Sequence, residues 1–420
     1  MYLALHMEGV IILGIFNRNL LSIAVISLSS FAMTGCGADN SATPEWETHF
    51  SGNDAEDRIE WINTINQDAF GDLITAGETI LMGSNRSENA FVVKHDTAGN
   101  LLWKSQFDIN DGSYDTDENV TDVAVDDDGN TYVVGNIYQR EGAPSTYTEF
   151  LLKVNRYGKQ AWVQTFSDQD KTWDVEFTNN LIYVAGDATR VFDTDGNLQL
   201  EIDQAGEAVW DVEVDSVGNI YTSGHAFVAK HDSAGNQIWK INNPSEIGHA
   251  SDIAINSYDE VYVAHHIYAD DRYRIAKISA DGTPLWERYI SDPSSSAGAM
   301  DGIPNIKLDH NENIIVIASN TQGRKLVKLD QNGSTVWSKS ASGGIVRSLT
   351  VDASNNIYIF GKSTGEKFDS NGSSKGTLKV SGGSNDTTGD AIVVGSNIYV
   401  GTSVMVDGSF TGYLANFKNP

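Results

Sequence analysis

Five aspartates recur at one kind of position. Asp122, Asp174, Asp211, Asp252 and Asp390 each open a short alternating run rich in β-branched residues, as in "DVEF", "DVEV" and "DIAI". Asn305 and Ser348 stand at the matching place in two further runs. Two residues on, and therefore on the same strand face, come Ala124, Glu176, Glu213, Ala254 and Lys307. If these runs converge, their carboxylates crowd. Crowded carboxylates repel, so each must be protonated, hydrated, hydrogen-bonded to backbone amides or held by a cation. The chemistry open to such a set is cation binding, with calcium the natural ion, or acid–base work in a cleft. Other support for catalysis is thin. The nine histidines, among them His225, His231, His249, His265 and His266, show no metal-site spacing, and neighbours such as His265 and His266 face opposite sides of a strand. No G-x-S-x-G nucleophile motif is present. No catalytic residue is assigned and no cofactor is expected.

A second acidic pattern, D-x-x-G-N, occurs as "DDDGN" at 126–130 and "DTDGN" at 193–197. It lacks the further ligands and the spaced glutamate of a calcium loop. Aspartate bonds nearby backbone amides and glycine accepts positive φ, so these are hairpin turns.

The elements that position these residues come from a repeat. "HDTAGNLLW" at 95–103 returns as "HDSAGNQIW" at 231–239. "KVNRYGKQAW", "KISADGTPLW" and "KLDQNGSTVW" follow the same grammar, and "VFDTDGNLQL" and "KFDSNGSSKGTL" follow it without tryptophan. A period of roughly 40–60 residues marks a solenoid, propeller or array. One unit, 120–166, reads as strand "VTDVAV", turn "DDDGN", strand "TYVVGNIY", a variable loop, strand "TEFLLKV", turn "NRYGK" and strand "QAWVQTF". Four consecutive antiparallel strands make a propeller blade.

Fourth strands centre on Trp103, Trp162, Leu200, Trp239, Trp286, Trp337 and Leu378. An eighth set starts at "DAIVV" (390–394) and supplies three strands. "EWETHF" (45–50) has the form of a fourth strand with none before it, so it completes the last blade and closes the ring. The reading is an all-β, eight-bladed β-propeller of four-stranded antiparallel blades. Seven blades is the alternative, if the degenerate "GDLITAGETILMG" is miscounted. First strands of a propeller line its channel, so the five aspartates, with Glu176 and Glu213, are the candidate residues of a channel mouth. The repeated tryptophans read as packing between blades.

Phrases such as "VAVDDDGNTYVVG" followed by "AFVVKHDTAGNLLW" resemble bacterial β-propeller repeats, and "KISADGTPLW" resembles the PQQ-type repeat of quinoprotein-like eight-bladed propellers. The resemblance spans about 45–420 and is specific for fold rather than function. One member class is the propeller lipoprotein of the outer-membrane β-barrel assembly machinery; none of its partner-contacting residues is carried over. Quinone-dependent dehydrogenases on this fold carry adjacent cysteines, a pair this chain, with one cysteine, cannot supply.

That cysteine is Cys36. It follows the apolar stretch "LLSIAVISLSSFAM" (20–33) and ends "MTGC", which resembles the bacterial lipobox. The expected organisation is a lipoprotein signal peptide at 1–35, a flexible tether at 36–44 and one propeller domain at 45–420. With no aspartate directly after Cys36, sorting to the outer membrane is expected. A net charge of −29 argues against nucleic acid as a partner. The expected role is a lipid-anchored interaction or scaffolding platform for an envelope protein. The alternatives are an envelope lyase or hydrolase, or a cation- or ligand-binding propeller.

Overall fold

Alternating β-branched and polar residues, punctuated by Asp- or Asn-led turns, leave the chain few options besides antiparallel hairpins, and the computed structural model contains strands and turns without helix among its described residues. Those residues are 41–50, 58–81, 88–109, 116–139, 147–167, 171–224, 227–242, 247–267, 272–291, 305–319, 323–341, 346–361, 364–380, 387–406 and 409–418. Residues 1–40, which hold Cys36 and the expected signal peptide at 1–35, lie outside them.

The turns explain the hairpins. Asp126 Oδ1 accepts the Asp128 and Asn130 amides at 3.0 and 2.7 Å, and its Oδ2 accepts Asn130 Nδ2 at 2.8 Å and the Tyr132 hydroxyl at 2.9 Å. Gly129 closes this turn at φ 78°. Asp96, Asp193, Asp215, Asp232, Asp309 and Asp352 cap their turns in the same manner. The D-x-x-G-N carboxylates are thus occupied by their own turns.

The described strands fall into eight four-stranded antiparallel sets, and the first strands meet one another around a closed circuit from Arg58–Gln67 through Thr116–Val125 and onward to Thr387–Val394. One parallel bridge, Glu88 to Asp117, also joins the sheets of the first two sets. The architecture is a β-propeller. The last set takes its fourth strand from the other end: Trp46–Phe50 pairs antiparallel with Ser409–Lys418, Trp46 opposite Asn416 and Phe50 opposite Gly412.

Apolar residues from neighbouring sheets interleave to form the core. Phe50, Ile62, Leu73 and Phe91 pack with Tyr399 and Leu414, which binds the first set to the last. Fourth-strand tryptophans bridge sets as well. The indole N–H of Trp103, Trp162, Trp239, Trp286 and Trp337 donates to a turn carbonyl of the next set, on Arg156, Thr194, Ala280, Gln331 and Ser370, at 2.9–3.2 Å.

The expected tether at 36–44 differs at its end. Ser41–Ala42 is a two-residue strand running parallel to Ser374–Lys379, with Ser41 opposite Thr377 and Ala42 opposite Leu378. The outer edge of that sheet offers unpaired backbone groups, and an extended segment beside it satisfies them. Ala42 also packs partly buried on the core.

Candidate functional site: the channel mouth

Eight first-strand positions correspond in register: Thr64, Asp122, Asp174, Asp211, Asp252, Asn305, Ser348 and Asp390, each opposite the fourth or fifth residue of its second strand. The eighth member, Thr64, escaped the sequence reading because its strand, "RIEWINTINQ", lacks the aspartate.

The carboxylates link neighbouring blades. Asp122, Asp174, Asp211 and Asp252 each accept, through Oδ2, a backbone N–H of the next blade's first strand: Val175 at 3.4 Å, Val212 at 3.1 Å, Ile253 at 2.6 Å and Ile306 at 2.8 Å. Asp390 Oδ2 reaches the Ile65 amide at 3.5 Å across the ring closure, and Ser348 Oγ accepts from the Ala391 amide at 3.3 Å. Thr64 Oγ1 donates to Asp122 Oδ1 at 3.2 Å.

A local irregularity builds the rim. In several first strands the register slips just before the channel position, between Ile62 and Thr64, Val120 and Asp122, Val209 and Asp211, and Val346 and Ser348. The extra residues are Asn63, Thr121, Trp210 and Arg347, and all four line the mouth. A bulge leaves one residue unpaired and re-aims it, which is how a strand interior can supply a site. Gly135 fits against one bulge, because a Cβ there would fall 2.1 Å from the Asn119 carbonyl oxygen. Trp173, directly before Asp174, stacks on Trp210 with centroids 5.3 Å apart and 29° between planes. Lys171 places its ammonium 4.7 Å from the Tyr147 ring centroid and 5.9 Å from that of Trp173.

Together these walls enclose a cavity of about 1100 Å³ that runs from the Trp173–Trp210 rim down to Lys307. Lys307 is exposed to solvent and lines the same cavity as the acids. Burial pushes the acids toward their protonated forms, and neighbouring carboxylates add to it. Asp122 is raised well above its usual value by burial and then by Asp174. Asp211 is raised well above its own by burial and then by Asp174 and Asp252. Burial raises Asp252 and Asp390 as well. Glu176 is pushed up to about 8 by burial and by Glu213, and Glu213 to about 7 by burial, with Lys307 pulling it back. Lys307 is held cationic, first by Asp252. Behind the rim, Glu78 is buried and pushed up to about 8 by burial and by Glu88, with Asn63 and Asn119 donating to it at 2.8 and 3.0 Å.

The five aspartates named from the sequence therefore line one cavity, and Glu176 and Glu213 interact electrostatically with them. Among the described residues, no group of three or more His, Cys, Asp or Glu side chains is arranged to hold a metal ion. His265 and His266 are buried in a strand wall, and His225 lies outside the described residues. The rim aromatics and cations, Trp173, Trp210, Tyr147, Lys171 and Arg347, were not singled out from the sequence. The doubled "WDVE" at 173–176 and 210–213 was the available signal.

With this geometry in place, one comparison bears on kinship. Residues 271–415 match the PQQ_2 family model, described as outer membrane protein assembly factor BamB. The match supports PQQ-type propeller repeats in this part of the chain. Comparison with curated proteins gives no match. Among solved structures, the chain is similar to a protein of unknown function from Bacteroides caccae at 15% identity, covering 59% of this chain and 93% of that one, with a TM-score of 0.38. It is also similar to the Dos1 propeller at 10% identity, covering 90% and 95%, with a TM-score of 0.48. No helix among the described residues is long and apolar enough to cross a membrane, which leaves β-barrel spans unaddressed.

Proposed function

We propose that this protein is a lipid-anchored propeller of the bacterial outer membrane, attached through Cys36, whose channel-mouth face receives an envelope protein. The observation that carries the reading is the rim: bulges in four of the first strands place Asn63, Thr121, Trp210 and Arg347 on the lining of one opening, beside the Trp173–Trp210 stack. Tryptophan and arginine are the residues that most often anchor protein interfaces. The match of residues 271–415 to a family named for an outer-membrane assembly factor supports the same setting. The lipobox-like "MTGC" supports the anchor.

The experiment has two parts. Membranes from cells carrying wild-type protein or Cys36→Ser are fractionated, and the wild type is expected in the outer membrane with the variant released. The solubilised wild type and a Trp173→Ala/Trp210→Ala variant are then compared for retention of envelope proteins. One stoichiometric partner lost in the variant supports the reading. A partner retained equally by both, or a wild-type protein free of lipid, overturns it.

A further inference from the structure

The mouth has chemistry of its own, apart from any docked protein. It is lined by five aspartates and Glu207 against Lys171, Lys307 and Arg347. Four of those aspartates satisfy one oxygen with a neighbouring backbone amide, which fixes the carboxyl groups in place around the opening. The rim above is aromatic, and it already holds one ammonium: Lys171 lies within cation–π range of both Tyr147 and Trp173. Two polar atoms beside this wall are buried with no hydrogen-bond partner, the Trp173 indole nitrogen and Glu176 Oε2. A cavity of about 1100 Å³ leaves room for more than water between collar and floor.

We propose that the mouth is a binding site for an ammonium or guanidinium group on a short aliphatic stem, the stem against Trp173 and Trp210 and the charge among Asp174, Asp211 and Asp252. Such a cation supplies what the ring lacks. Burial raises Asp211 and Asp252, and neighbouring carboxylates add to it, so a cation seated beside them displaces protons and binding tightens as pH rises. A neutral or anionic ligand of equal size gains nothing from the floor. The group has two sources, a free polyamine or a lysine or arginine side chain of a protein, and the site chemistry is common to both. The proposal stands whether or not an envelope partner docks.

The test is calorimetric titration of the full folded protein with spermidine and, separately, with acetyl-Gly-Lys-Gly-amide, using sorbitol and glutarate as neutral and anionic controls. At least one amine is expected to bind with unit stoichiometry. Asp174→Asn/Asp211→Asn keeps a carbonyl acceptor for the Val212 and Ile253 amides and should weaken binding about tenfold or more. Trp210→Ala should weaken it several-fold and serves as the second variant if the first does not fold. Binding of spermidine alone identifies a free amine as the source, and binding of the peptide alone identifies a side chain. No heat from either amine at millimolar concentration, equal affinity in both variants, or sorbitol or glutarate binding as tightly overturns the proposal.

Discussion

The Trp46 indole lies flat against Gly99: a Cβ on that glycine would come within 2.6 Å of the Trp46 ring. Trp46 belongs to the last sheet and Gly99 to a turn of the first, so this contact closes the ring. It repeats the contact of Trp103 with Gly158 and of Trp162 with Gly196 between internal neighbours. The strand that arrives from the far end of the chain is therefore a true fourth strand, with the same side chain making the same contact.

Breaking this closure should cost what breaking any blade interface costs. Trp46→Ala is expected to destabilise by about 3 kcal/mol, as for other large-to-small changes of aromatic residues. Gly99→Ala should destabilise by about 1–3 kcal/mol, because alanine is strained at φ 83° and its methyl meets the ring. The double variant should fall short of the sum, since the alanine methyl is tolerated once the ring is gone. Urea denaturation of the four proteins measures this, and strict additivity would separate the two residues.

The channel acids give stability an unusual pH dependence. Glu176 and Glu213 are raised from 4.5 to about 8 and about 7, and Asp122, Asp211, Asp252 and Asp390 are raised as well. The folded state then binds more protons than the unfolded chain. Stability from these groups is complete below their unfolded values and is lost as pH climbs through the folded ones, between about 4.5 and 8. Turn aspartates act in the opposite sense. Asp96, Asp193 and Asp232 are lowered first by the Asn100, Asn197 and Asn236 side chains, and they lose their contribution as pH falls below 3.8. Unfolding free energy should peak on the acid side of neutrality. Glu176→Gln/Glu213→Gln should flatten the decline by on the order of 1–2 kcal/mol, after screening by channel water. A maximum at pH 8 would contradict this assignment.

Lys307, on the first strand beside that of Asp252, faces the same acids. Lys307→Met should destabilise by about 1–3 kcal/mol at pH 8, less than a fully buried pair because Lys307 is exposed to solvent. Burial raises Asp252, Glu213 and Asp211 above their ordinary values, so these partners carry less charge at pH 5 than at pH 8 and the loss should shrink. Thermal melts at the two pH values check it, and an equal loss at both would assign the lysine a packing role.

The inter-blade hydrogen bonds separate charge from capping. Asp211→Ala leaves the Ile253 amide without its 2.6 Å acceptor and should cost about 1–3 kcal/mol. Asp211→Asn keeps an acceptor and removes a crowded charge, so at pH 8 it should be neutral or stabilising. Equal destabilisation by both would mean that the charge itself is needed.

Much of this was legible in the sequence, for a physical reason. Hairpin turns and alternating strands are local, so "DDDGN" between "VTDVAV" and "TYVVG" announces itself, and a repeat multiplies the signal. The channel position of Asp122 and Asp211 followed from topology. The rim did not, because a bulge such as that between Val209 and Asp211 shifts the pairing by one residue, and no residue type requires it. Trp210 read as part of a strand, and it is, but the bulge places it on the lining of the opening. The docking of Ser41–Ala42 was missed because two extended residues carry no pattern; only the free edge at Thr377–Leu378 selects them.

The central claim is that the mouth is the working face, and site-specific photo-crosslinking in living cells tests it most directly. A photoreactive residue replaces Thr121 at the rim in one strain and Val336, an exposed residue of an outermost strand, in another. A discrete adduct with one envelope protein at position 121, absent at 336 and lost with Trp173→Ala/Trp210→Ala, is the predicted result. An adduct that forms at 336 and not at 121 would contradict the account.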